Sequence, residues 1–209
     1  MTWQNFGSCV SILLTESNYK DKSMILFVNA CTRKDSRTKK IADKLLAKFN
    51  DDIIEVNLYD ADFPKTDETF LKWRDKCIAC KDFSNSYFDF AKQFATADKI
   101  VIAAPYWDLS FPAVLKQYIE HINVLGLTFE YTDDGFPKGL CKAEQLYYVM
   151  TAGGKYVPEE FGFGYIKALA NSFYGIKDVK LIKATGLDII GSNADAIVQE
   201  CIEKTALAD

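Results

Sequence analysis

Short, mostly apolar runs alternate along this chain with segments whose apolar residues recur at helical spacing. The first run is Met24 to Asn29, the second Ile53 to Leu58 and the third Lys99 to Ala104. Gln145 to Met150 and Val179 to Ala184 complete a set of five. Runs without polar alternation are what a strand buried on both faces requires, and Ile25-Leu26-Phe27-Val28 and Ile100-Val101-Ile102 fit best. Between them, Ile41, Leu45 and Phe49 fall on one helix face after Ser36. Pro112 opens a helix through Ile122. One or two helices are expected across 67–97, another across about 160–174, and a last one from near Asn193 to Thr205. Thr128 to Thr132 alternates, and Asp133-Asp134-Gly135 is a turn signal, so this stretch reads as a short ribbon outside the main sheet. Strands separated by helices predict an α/β domain with a five-stranded parallel sheet. Residues 24–209 form that domain. Residues 1–23, with Cys9 to Leu14 as their one apolar stretch and no basic residue before it, read as an N-terminal extension rather than a secretion signal.

Composition narrows the chemistry. Of 209 residues, 49% are hydrophobic and 26% charged, as in an ordinary globular protein. The net charge of −4 argues against a nucleic-acid binder with a broad basic face, and the five cations between Arg33 and Lys40 read as phosphate attraction plus a solvated helix face. No apolar run is long enough to span a bilayer. The single histidine, His121, excludes a zinc site built on several imidazoles; its expected place is the surface or an interface. Six cysteines without a compact framework read as reduced thiols of a cytoplasmic protein. Cys77-Ile78-Ala79-Cys80 lies in a charged helical stretch and reads as a pair of structural or incidental thiols, and Cys31 as a packing residue.

In open parallel sheets ligands sit at the carboxyl ends of the strands. After the first strand come Ser36, Arg37 and Thr38 at the start of a helix, where free amides and the dipole attract phosphate; Arg33, Arg37 and Lys39 would add charge. The stretch lacks glycine, so it is not a dinucleotide fingerprint. After the third strand, Pro105, Tyr106, Trp107, Asp108 and Leu109 form a proline-framed aromatic shelf. After the fourth, Thr151, Ala152, Gly153 and Gly154, with Tyr156 just beyond, allow close approach of backbone to a ligand. Each stretch alone has a plainer reading: a capped helix with a solvated basic turn, aromatic closure of the core, an ordinary loop. Together they describe one crevice suited to a phosphorylated planar cofactor, flavin mononucleotide (FMN).

These stretches resemble the flavodoxin-like NAD(P)H:quinone oxidoreductases, in particular the FMN-dependent NADH-azoreductase group. The similarity spans about residues 24–190. It is carried by Ser36-Arg37-Thr38, Pro105-Tyr106-Trp107-Asp108-Leu109 and Thr151-Ala152-Gly153-Gly154, and supported by Phe111 to Lys116, Thr128 to Thr132 and Phe173 to Ile176. Tyr106, Trp107, Asp108 and Leu109 stand where the family carries Met, Tyr, Asn and Phe, and Ala152 replaces its Arg. The resemblance implies a doubly wound flavodoxin-like fold and a homodimer with FMN at its interface. It implies ping-pong transfer from NADH or NADPH through the flavin to a quinone, azo compound or similar flat acceptor. It also places Phe129 and Tyr131 at the acceptor pocket. A flavodoxin-type electron carrier serving protein partners is the alternative from another functional class.

Overall fold

The computed structural model describes residues 23–207; the Cys9 to Leu14 stretch lies outside them. Five strands make one parallel sheet: β1 (Met24–Asn29), β2 (Asp52–Asn57), β3 (Lys99–Ala103), β6 (Gln145–Thr151) and β7 (Asp178–Ala184). Their order is β2-β1-β3-β6-β7. The expected doubly wound flavodoxin-like architecture is therefore present, with its reversal of strand order between β1 and β3. Alternate residues of each strand feed two cores. Ile25, Phe27, Val101 and Val149 face α1 (Arg37–Leu46) and α6 (Ala194–Leu207). Leu26, Val28, Ile100 and Tyr148 face the side covered by Phe94 of α3 (Asp89–Thr96), Leu115 and Tyr118 of α4 (Ala113–Ile122) and Ile166 of α5 (Phe163–Leu169).

Boundaries differ from the pattern-based expectation by little. β2 begins one residue earlier, yet Leu58 still donates to the Asn29 carbonyl at 2.9 Å, so pairing continues past the strand. The 67–97 stretch contains α2 (Glu68–Ala79), capped by the Asp67 side chain, a single 3₁₀ turn and α3. The helix expected at 160–174 is α5 running into a π-type turn, Ala170–Tyr174, which ends at left-handed Gly175. Thr128 to Thr132 contributes β4 (Phe129–Tyr131), paired antiparallel with β5 (Pro137–Gly139). This two-stranded ribbon packs against the segment leading into β7, because a side chain at Gly139 would lie 2.1 Å from the Tyr174 backbone. No helix among the described residues is long and apolar enough to cross a membrane.

Candidate functional site

The carboxyl ends of β1, β3, β6 and β7 surround a cleft of about 240 Å³. The turn after β1 contributes Thr32, Arg33, Asp35, Ser36, Arg37 and Thr38. Ser36 caps α1: its Oγ accepts the Lys39 amide at 3.2 Å, and its hydroxyl proton faces the Cys31 sulfur, a weak acceptor that a phosphate would outcompete. The first helical bond runs from the Lys40 amide to the Ser36 carbonyl, at 3.0 Å. The amides of Arg37 and Thr38 thus precede the helical ladder and point out of the helix end. Thr38 is fully buried, and its hydroxyl lies 2.7 Å from that of Thr151 at the end of β6. A hydroxyl pair carries two protons and uses one internally, so one remains for a ligand.

Pro105, Tyr106 and Trp107 form the second wall. The Tyr106 amide donates to Thr151 O at 2.9 Å and its hydroxyl to Pro158 O at 3.1 Å, which pins the shelf at both ends. Trp107 and Ser110 exchange backbone bonds of 3.0 and 2.8 Å around a tight turn. The two residues between them, Asp108 (φ 49°) and Leu109 (φ 66°), are both left-handed. For a leucine this conformation is strained, and such strain gathers at functional loops. The third wall is Thr151, Ala152 and Gly153. A Cβ at Gly153 would meet the Asp188 carboxylate at 2.4 Å, so a side chain there would push Asp188 aside.

The fourth wall, Leu187 and Asp188 after β7, is absent from the sequence-based expectation, as are Thr32 and Asp35. The rule that ligands collect at strand carboxyl ends points equally to Gly186-Leu187-Asp188 after the last strand. Ala152 O, Gly153 O and Gly154 O accept the amides of Leu187, Asp188 and Gly186, extending the β6–β7 pairing into these loops. Asp188 also reaches across the cleft to Arg37 at 2.8 Å.

Not every expected residue arrives. Lys39 is turned to Asp43, at 2.7 Å, and Glu55, at 3.9 Å, and adds no charge to the cleft. Asp108, Leu109, Gly154 and Tyr156 adjoin the walls without lining them, and Tyr156 is 81% exposed. Phe129 is buried against Phe173, with ring centroids 4.9 Å apart, and Tyr131 is exposed on the ribbon; neither reaches the cleft of its own chain. Cys31 packs under the β1 turn, where burial raises its thiol pKa and leaves it a poor nucleophile. Cys77 packs beside Phe88, while Cys80 ends α2. His121, expected at the surface or an interface, is instead buried, because its position on α4 faces inward against Phe63 and Tyr87. A larger groove of about 740 Å³ runs between β7 and α6; lysines and aliphatic residues line it and no helix N-terminus faces it.

Residues 23–207 match the model of a family described as having the flavodoxin-like fold. An FMN-dependent NADH:quinone oxidoreductase of Clostridium perfringens is 38% identical over 193 residues, 87% of this chain and 96% of the relative. The chain belongs to this flavodoxin-like oxidoreductase family. A second relative within it, FMN-dependent NADH:quinone oxidoreductase 2 of Clostridium acetobutylicum, is 37% identical over 87% of this chain and 96% of its own. An azoreductase from Bacillus anthracis superposes with a TM-score of 0.76 at 27% identity, over 88% of this chain and 97% of that one.

The cleft suits the phosphate end of the family's cofactor: a helix N-terminus, the Ser36 hydroxyl, a shared Thr38–Thr151 proton and the Arg37 guanidinium converge there. At about 240 Å³ it is smaller than the roughly 300–1,000 Å³ pockets that enclose whole ligands. A cleft of that size would enclose one end of a nucleotide and would leave the remainder near exposed Trp107. Asp188 competes with any bound phosphate for Arg37. Asp188→Asn is therefore expected to tighten FMN binding by about two- to fivefold, both charges being substantially exposed. The gain should shrink as salt rises. Fluorescence titration at two ionic strengths checks this, and weaker binding would show that Asp188 holds Arg37 in place for the phosphate.

Proposed function

We propose that this protein is an FMN-dependent NADH:quinone oxidoreductase whose FMN phosphate sits at the N-terminus of α1. The observation that carries the reading is the convergence of the loops after β1, β3 and β6 on one cleft rich in anion donors. When bound, FMN supplies two-electron transfer between a reduced nicotinamide and a flat acceptor. Ser36, Arg37 and Thr38 would hold its phosphate, and the backbone of 105–109 and 151–154 would hold the ring edge. Tyr106, anchored by Pro158, keeps the shelf rigid. Quinones are the acceptor class, with azo compounds a further group given the likeness to the Bacillus azoreductase.

A second subunit is part of this reading. The cleft opens beside the exposed apolar residues Trp107 and Leu109, and Phe161 and Ile190 are exposed as well; covering by a partner would remove such residues from water. Phe129 and Tyr131, remote from their own cleft, would line the acceptor pocket only across a homodimer interface. Free cysteines among the described residues and the use of FMN and NADH support action in the cytoplasm.

The testing experiment is steady-state NADH oxidation by the FMN-loaded protein with a benzoquinone. Parallel double-reciprocal lines are expected, because nicotinamide and acceptor would use one site in turn. Intersecting lines would reject a shared site, and turnover only with a protein acceptor would make the chain an electron carrier.

A further inference from the structure

The single histidine is built into a second place in the fold. His121 is 4% exposed, and its ring packs between Phe63 and Tyr87 at centroid distances of 4.9 and 5.1 Å. Its Nδ1 lies 2.9 Å from the Gln117 carbonyl. A carbonyl oxygen only accepts, so Nδ1 carries the proton and Nε2 of the neutral ring is an acceptor. That Nε2 is buried and has no hydrogen-bond partner. Burial, followed by the nearby Arg74, holds the imidazole below its ordinary pKa, against the opposing effects of Gln117 and Glu120, and so keeps the acceptor form.

His121 lines two hollows, of about 410 and 300 Å³, which share it with Phe70 and Tyr87. Trp73 and Phe90 extend the aromatic wall of the larger one. These four rings are only half-buried, so each keeps an open flank. The larger hollow has Asp62 on its lining; Arg74 and Glu120 face the smaller one. The mixture of signs favours neither a cation nor an anion. No residue is shared with the cleft at the strand ends.

We propose that His121 and the rings around it form a second binding site, for a neutral aromatic molecule carrying a hydroxyl group, such as a phenol or naphthol. The ring would pack on Phe70, Trp73, Tyr87 and Phe90; with a small shift of these half-buried rings to uncover Nε2, the hydroxyl would donate to it and give the buried acceptor its missing partner.

One histidine means one imidazole spin system, so the site can be watched directly. The full chain labelled with ¹⁵N-histidine is titrated with 2-naphthol and, separately, with 2-methoxynaphthalene, each with and without saturating FMN. The expected result is that 2-naphthol binds about fivefold more tightly than its methyl ether. It should also move the Nε2 resonance, whether or not FMN is bound. In His121→Phe the two probes should bind equally. Equal affinities in the unaltered protein, or an Nε2 resonance unmoved at saturation, would overturn the proposal. So would a response that disappears when FMN is bound, which would place the naphthol in the flavin cleft. The unaltered protein decides these outcomes even if His121→Phe folds poorly.

Discussion

Replacing Ser36 and Thr38 together with alanine is expected to weaken FMN binding by about 1–3 kcal/mol, roughly 5- to 150-fold. Ser36 brings two contributions. Its Oγ caps α1 through the Lys39 amide, and its proton, otherwise held only by the weakly accepting Cys31 sulfur, would turn to the ligand. Losing the cap alone costs about 1 kcal/mol of stability and loosens the helix end that presents the Arg37 and Thr38 amides. Thr38 contributes through Thr151: removing its hydroxyl leaves the 8%-exposed Thr151 hydroxyl without its protein partner and withdraws the shared proton. Conservative changes separate ligand contact from helix loosening. Ser36→Thr and Thr38→Ser keep both hydroxyls and should bind FMN close to the original affinity. Isothermal titration of the four proteins checks this. Unchanged affinity in the double alanine variant would remove the phosphate from this helix end.

Gly139→Ala should be among the most damaging single substitutions in the chain. The added Cβ would lie 2.1 Å from Tyr174 C and 2.2 Å from Gly175 N, both backbone atoms that have no rotamer through which to yield. Tyr174 is itself fixed, because its hydroxyl donates to Asn123 Oδ1 at 2.7 Å and its ring stacks edge-on against Phe94 at 4.7 Å. Overpacking of this kind costs about 3 kcal/mol or more. The corresponding fall in Tm is roughly 6–12 °C for a domain of this size. Gly135→Ala is the control. It sits in the same ribbon at φ 78° with nothing within 4 Å, so only the left-handed backbone resists, at about 1 kcal/mol. Thermal unfolding of both variants tests the seating of the ribbon. Equal losses would mean that it does not press on Tyr174 as described.

The central strands β1 and β3 were readable because both of their faces are buried: a run such as Ile100-Val101-Ile102 has no other comfortable place in a fold of this size. The edge strand β2 departs from that rule, with Ile53 and Ile54 exposed. Helix α1 was readable from Ser36 onward, because the N-cap and the inward residues Ile41 and Leu45 agree. Three of the four cleft walls were readable for the same reason, each directly following a recognisable strand. The Asp188 wall was hidden in a different way. Its importance lies in a contact with Arg37, 151 residues earlier, and no local pattern records a contact of that range. Lys39 shows the converse: a cation beside the phosphate turn counts toward the cleft in sequence, but helical geometry swings it to Asp43 and Glu55. His121 was misplaced because a histidine next to Glu120 reads as polar surface, whereas α4 buries both of its flanking turns, at Tyr118 and Ile122. The alternation of Phe129 and Tyr131 identified a ribbon correctly. Where that ribbon docks depended on the absence of a side chain at Gly139, which sequence pattern alone does not weigh.

On the proposed reading, the cleft at the head of α1 recognises the phosphate of FMN. Riboflavin carries the same ring and ribityl chain without that phosphate. Titration of the flavin-free full chain with FMN and with riboflavin, followed by flavin fluorescence, isolates the claimed contact. Two or more charge-assisted bonds predict that FMN binds at least about 100-fold more tightly than riboflavin. Ser36→Ala with Thr38→Ala should close much of that gap. Equal affinity for the two flavins, or a preference for riboflavin, would contradict the account.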